Sequence, residues 1–134
     1  MAEQSTLLIV KPDAVRRGLV GEILGRVEAK GLRIAEMRKM RIDPGLAEEQ
    51  YDEHREKPFF RELVEFITSG DVVVARVTGE EAIAVLRTLM GATDPKGAAP
   101  GTIRGDFGTA ITQNLVHGSD SSFSADRELK LFFD

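Results

Sequence analysis

Residues 6–10, TLLIV, form a continuously apolar run and predict a central strand buried on both sides. Lys11-Pro12-Asp13 ends it. From Leu19 the period changes. Leu19, Val20, Ile23, Leu24 and Val27 share one helical face, and Gly31 supplies a C-terminal stop. Residues 32–42 alternate loosely and predict a second strand. Asp43-Pro44 opens a second helix, as an N-cap followed by proline at the first helical position. Pro58 opens another, carrying Phe59, Leu63, Phe66 and Ile67. Residues 71–77 are rich in valine and predict a third strand. Residues 80–90 read as an amphipathic helix with Ile83, Leu86 and Leu89 inward. Residues 91–108 are rich in glycine and proline and have no period, as in a loop. A loop that long inside a compact domain is usually functional. Residues 115–117 predict a fourth strand, and residues 124–133 a closing helix.

This order predicts an α/β (α+β) fold, a ferredoxin-like βαββαβ four-stranded antiparallel sheet with helices on one face. The helices between the second and third strands would be an insertion. At 134 residues the chain is expected to form a single domain, 1–134. A balance of 42% hydrophobic and 30% charged residues is that of a soluble globular protein. A net charge of -4 argues against general nucleic-acid binding, though not against a local basic pocket. Without cysteine there is no disulfide scaffold and no thiolate metal site. The first residues, MAEQSTLLIVKPD, lack the basic segment of a secretory signal, and no apolar stretch reaches membrane-spanning length. The expected location is cytoplasmic, with no membrane partner.

The common phosphate motifs are missing. No G-x-x-x-x-G-K-[ST] occurs, and no G-x-G-x-x-G follows a strand. No H-E-x-x-H or other histidine pair offers a transition-metal site. A hard ion such as Mg²⁺, held mainly by substrate phosphates, remains open. The chain has two histidines. His54 sits among charged residues and reads as solvated. His117 follows Leu115-Val116 and precedes Gly118-Ser119, so a strand would hold it while a small-residue turn clears the approach. Neutral imidazole is abundant near neutral pH and can attack phosphorus, but a lone histidine also has structural uses. Scattered around it are polyphosphate donors: Lys11 at a strand end, Arg87 late in a helix, Thr93 and Arg104 in the long loop, and Asn114 before the fourth strand. Lysine gives a point charge and arginine a bidentate fork. Each could equally be a solvated surface residue. Phe59 could be core or a ligand platform.

Taken together, LLIVKPDAVRRGLVGEI, HREKPFF, LMGATDP, APGTIRGDF and NLVHGSDS resemble the nucleoside diphosphate kinases over practically the whole chain. The resemblance implies transfer of a γ-phosphoryl group from a nucleoside triphosphate to a diphosphate by ping-pong through His117. It implies that Lys11, Arg87, Thr93, Arg104 and Asn114 hold phosphates and sugar hydroxyls, and that Phe59 stacks on the base. Tyr51 matches a tyrosine near the histidine, and Ser119 with Glu128 a pair that orients the ring. Mg²⁺ on the nucleotide phosphates is the implied cofactor. The implied partners are nucleoside di- and triphosphates and further copies of the chain, a hexamer ahead of a tetramer. Asp71 stands where many members have proline, and the chain ends at Asp134 without the extension of longer relatives. The ending leaves the mode of assembly open. Two rivals remain: a non-enzymatic nucleotide- or nucleic-acid-binding module on the same fold, and a histidine phosphotransfer protein.

Overall fold

The structure is a computed structural model and describes residues 3–133; Asp134, the chain end noted above, lies outside them. Four strands, β1 (Glu3–Val10), β2 (Arg33–Arg41), β3 (Asp71–Glu80) and β4 (Val116–Gly118), pair in the order β2-β3-β1-β4. Every pairing is antiparallel. Seven helices accompany them: α1 (Pro12–Arg16), α2 (Val20–Ala29), α3 (Pro44–Gln50), α4 (Phe60–Ile67), α5 (Ala82–Met90), α6 (Ile103–Phe107) and α7 (Ser122–Phe133). This is the expected four-stranded antiparallel α/β fold.

The helices cover both faces of the sheet, not one. Leu8 and Val10 of β1 pack with Ile23 and Val27 of α2 and Leu86 of α5. Leu7 and Ile9 pack with Ala47 of α3, Val64 of α4 and Leu129 of α7. All four β1 side chains are fully buried, each worth about 1.5–3 kcal/mol relative to exposure. The cause lies in the strand itself. Successive side chains point to opposite faces, so a continuously apolar strand needs cover on both. The helices read as an insertion supply the second layer.

Other boundaries shift for local reasons. The Lys11-Pro12-Asp13 break starts a short helix, because Pro12 suits its first position. Asp43 caps α3 as expected, its carboxylate accepting from the Leu46 amide at 2.8 Å. α4 begins at Phe60, two residues beyond Pro58, and β3 runs on to Glu80.

Residues 91–108 are not a structureless loop. They contain a 3₁₀ turn (Pro95–Gly97) and α6. Thr102 caps α6: its hydroxyl accepts from the Gly105 amide at 3.0 Å and donates to the Ala99 carbonyl at 2.6 Å. A Cβ on Gly105 would stand 2.0 Å from that same carbonyl, so the turn needs glycine. Arg26 of α2 then holds the segment from outside. It pairs with Asp106 at 2.7 Å and lies over the Phe107 ring at 4.9 Å.

Candidate active site

The register sets the direction of His117. It pairs with Ile9 across β1–β4, and directly opposed residues share a face. Ile9 faces the α3/α7 layer, so His117 does too. Its neighbours Val116 and Gly118 face α5. A Cβ on Gly118 would lie 2.7 Å from Met90 Sδ. Gly118 is therefore small to let β4 seat on α5, and it also lines the cavity beside the imidazole.

Glu128 projects from α7 toward the ring, and its Oε1 lies 2.8 Å from His117 Nε2. Ser119 is fully buried, and its hydroxyl donates to the same oxygen at 2.7 Å. Burial pushes the Glu128 carboxyl up. The His117 hydrogen bond and charge, with Ser119 and Gln50, outweigh it and hold the carboxyl below its ordinary value. An ionised Glu128 only accepts, so Nε2 must carry the proton. Nδ1 is left with its lone pair, and it has no hydrogen-bond partner among the described residues.

A cavity of about 810 Å³ opens in front of the ring. Lys11, Arg87 and Arg104 supply positive charge to its wall. Tyr51, Phe59, Thr93 and Asn114 also line it, as do His117 and Glu128. The fold thus gathers nine of the ten expected positions around one space. Ser119 is absent from that wall because it stands behind Glu128.

Lys11 is 8% exposed and its Nζ donates to Asn114 Oδ1 at 2.8 Å. Burial, then the Arg104 charge, lower its pKa to about 8 against a smaller opposing pull from Asp13. Asn114 Nδ2 donates to the Thr93 carbonyl at 3.0 Å, tying loop to strand. Arg104 is 6% exposed and donates to the carbonyls of Gly91, Asn114 and Val116 at 3.0, 3.1 and 2.6 Å. Burial and the Arg87 charge lower its pKa to about 10, which still leaves it charged at neutral pH. Arg87 is exposed and reaches the Gly118 carbonyl at 3.4 Å. Tyr51 is buried beside Glu128, and burial first, that charge second, raise its phenol well above its ordinary value.

Leu115 takes a left-handed backbone, φ 77°, between Asn114 and Val116. For a non-glycine residue this costs about 1–3 kcal/mol and needs support. Its amide donates to Asp13 Oδ2 at 3.1 Å, and its carbonyl accepts from the Lys11 amide at 2.8 Å. Arg104 grips the carbonyls on either side. The twist turns Asn114 toward Lys11 while His117 two residues on stays in the sheet.

Three residues here escaped the sequence reading. Gln50 is 2% exposed, and its amide lies 3.1 Å from His117 Nε2. Asp13 supports the Leu115 twist. Ile111, 56% exposed, lines the cavity beside exposed Phe59. An exposed aliphatic residue in a cavity carries no periodic signal. The alternation around Gln50 is that of any helix end. His54 is not merely solvated: it also lines the cavity, with its ring 5.6 Å from that of Phe59.

Residues 4–134 match the family model described as nucleoside diphosphate kinase. The chain belongs to the nucleoside diphosphate kinase family. It is 63% identical over 130 residues to a nucleoside diphosphate kinase of Rubrobacter xylanophilus, covering 97% of this chain and 98% of that one. A relative from Metallosphaera sedula is 56% identical over 99% of this chain and 95% of its own. The nucleoside diphosphate kinase of Aquifex aeolicus superposes with a TM-score of 0.97 at 46% identity, covering 99% and 96% of the two chains. A halophilic nucleoside diphosphate kinase from Halobacterium salinarum, solved in complex with CDP, gives 0.97 at 51% identity over 99% and 89%. As a nucleoside diphosphate kinase, the chain moves a phosphoryl group from a nucleoside triphosphate to a nucleoside diphosphate. Nothing supports the non-enzymatic alternative.

Proposed function

We propose that His117 carries the phosphoryl group between the two nucleotides, and that chain 1–134 acts as one catalytic domain. One observation carries this reading. Glu128 holds the Nε2 side of the ring at 2.8 Å, and the opposite nitrogen is free on a ring that shares its cavity with Lys11, Arg87 and Arg104. In the first half-reaction the Nδ1 lone pair attacks the γ-phosphorus. The Nδ1–P bond forms, the bond to the bridging oxygen breaks, and the electron pair leaves on the nucleoside diphosphate. The second half-reaction reverses these changes with another diphosphate. The proton stays on Nε2, donated to Glu128, throughout. Lys11, Arg87 and Arg104 neutralise phosphate oxygens whose charge shifts in the transition state. Asn114 and Thr93 hold sugar and phosphate oxygens, and Tyr51 keeps a protonated hydroxyl beside the ring. Phe59 stacks on the base without reading its edge, and Ile111 adds a second apolar contact.

Among the described residues no group of three or more His, Cys, Asp or Glu is placed to hold a metal ion. Lys11, Arg87 and Arg104 in the cavity wall suit phosphate oxygens. Mg²⁺ fits as an ion carried in on the nucleotide, where it neutralises phosphate charge. The chain is proposed to work in the cytoplasm; no described helix is long and apolar enough to cross a membrane.

The test is to weigh the intact chain after incubation with Mg²⁺-ATP. One phosphoryl group per chain is expected, labile to acid and stable to alkali, and lost again on adding a nucleoside diphosphate. His117→Ala should neither take up the group nor turn over. Substantial turnover by that variant would reject His117 as the carrier.

A further inference from the structure

Gln50 ends α3 and turns its side chain into the site from behind. It does not line the nucleotide cavity, although the next residue, Tyr51, does. Its amide nitrogen lies 3.1 Å from His117 Nε2, the ring nitrogen that the Glu128 carboxylate meets at 2.8 Å. The helix end that carries it is fixed to α7. Arg127, the residue before Glu128, donates to the carbonyls of Glu49 and Gln50 at 2.9 and 3.2 Å. The Gln50 amide and the Glu128 carboxylate thus sit on two elements joined at this point, against the same edge of one ring.

Proton bookkeeping assigns the amide its partner. His117 Nε2 donates to Glu128, so it has no lone pair for an N–H of Gln50. The amide N–H must therefore go to the carboxylate. On that assignment the Gln50 amide joins the two donors already on Glu128, the imidazole and the Ser119 hydroxyl. A carboxylate with oxygens held by donors on different elements cannot swing away from the ring. At metal-bound histidines, groups that orient the ring through such a carboxylate are worth about ten- to a hundredfold, and the same lever acts on a nucleophilic ring.

We propose that Gln50 is a positioning residue for phosphoryl transfer: its carboxamide, packed between the Nε2 edge of His117 and the Glu128 carboxylate, keeps that carboxylate on the Nε2 proton and so keeps Nδ1 free to attack. The inference rests on His117 being the phosphoryl carrier. Gln50 acts through the ring and not on the nucleotide. Its loss must lower kcat, leave nucleotide KM alone and change the imidazole tautomer. A residue that merely stabilised the fold would not produce that combination.

The experiment compares the parent with Gln50→Met, which fills the space without donating, and Gln50→Asn, which keeps an amide but withdraws it. Each is read by steady-state kinetics and by nitrogen NMR of labelled histidine. Both variants should lose about tenfold in kcat at unchanged KM. Both should also show His117 signals moved toward the Nδ1–H form. A variant with parental kcat and parental tautomer signals overturns the proposal. So does one that raises KM at unchanged kcat, which would make Gln50 a nucleotide contact. Should Gln50→Met fail to fold, Gln50→Asn decides by the same readings. The two levels separate cleanly. A parent that takes up no phosphoryl group from Mg²⁺-ATP removes the carrier reading, and this inference with it. A parent that labels fully beside unaffected variants removes this inference alone.

Discussion

Lys11 shows how a single residue can serve the reaction against the fold. A lysine in this position must give up water around its ammonium, and burial lowers its pKa to about 8. Below that pH the folded chain bears the full cost of a buried charge. Between about 8 and 10.5 the unfolded chain holds more protons than the folded one, so the Lys11 contribution to stability rises with pH across that window. Catalysis runs the other way, because the charge is lost over the same range. kcat/KM should fall on an alkaline limb beginning near the free-enzyme value of about 8. Lys11→Met should lose roughly a hundredfold or more in kcat. Its melting temperature relative to the parent should be highest at neutral pH and decline toward pH 10, since only the parent gains from deprotonation. A difference in melting temperature that is flat with pH would mean that Lys11 is not destabilised by its site. Phe59 makes a second prediction at this scale. A ring face gives base affinity without base choice, so Phe59→Ala should raise the nucleotide KM by roughly five- to 150-fold (about 1–3 kcal/mol), and equally for purines and pyrimidines. A loss confined to one base class in kinetics with matched diphosphates would contradict stacking as its role.

At the scale of elements, legibility followed how local the cause was. The strands and the α3 cap could be read because their signals lie within a few residues: a valine run, or an aspartate before a proline. The matched motifs likewise carried His117, Lys11, Asn114 and Arg104. The second helical layer was misread because a continuous apolar run states that a strand is buried, not what buries it. Residues 91–108 were misread because glycine and proline mark turns, whereas the order comes from distant groups. Arg26 and Arg17 reach in from α2 and from just after α1, the latter donating to the Phe107 carbonyl at 2.8 Å. Arg104 binds the segment to β4. Arg26→Ala should therefore loosen this segment selectively. It removes a partly exposed ion pair and a cation–ring contact, about 1–2 kcal/mol together. Hydrogen exchange should speed up in residues 101–108 while β1 and β3 keep their protection. Uniform acceleration, or none, would show that the segment is ordered by other means. Gln50 and Asp13 were invisible for the same reason as Arg26. Each acts on a partner more than sixty residues away, and no spacing along the chain records it.

The sheet has two edge strands, β2 and the three-residue β4. β2 is an outer strand with mostly exposed side chains, Met37 among them at 61%. A nine-residue strand paired on one side only is a standing template for a second strand. We propose that another copy of the chain covers it and that these pairs assemble further, into a hexamer ahead of a tetramer. Residues 91–108 are fastened within the chain by Arg26, Arg17 and Arg104, so the proposed assembly is expected to add stability. Light scattering over a dilution series should give a symmetric oligomer, and dissociation should lower the melting temperature before it lowers specific activity. A monomer at all concentrations would reject the assembly and leave the chemistry standing. The chemistry itself rests on which nitrogen of one imidazole is free. Phosphorus–nitrogen NMR of the phosphoenzyme, made with labelled histidine, reads this directly. One phosphorus is expected on Nδ1 of His117, with the proton retained on Nε2. Phosphorus on Nε2, or on any other residue, would contradict it.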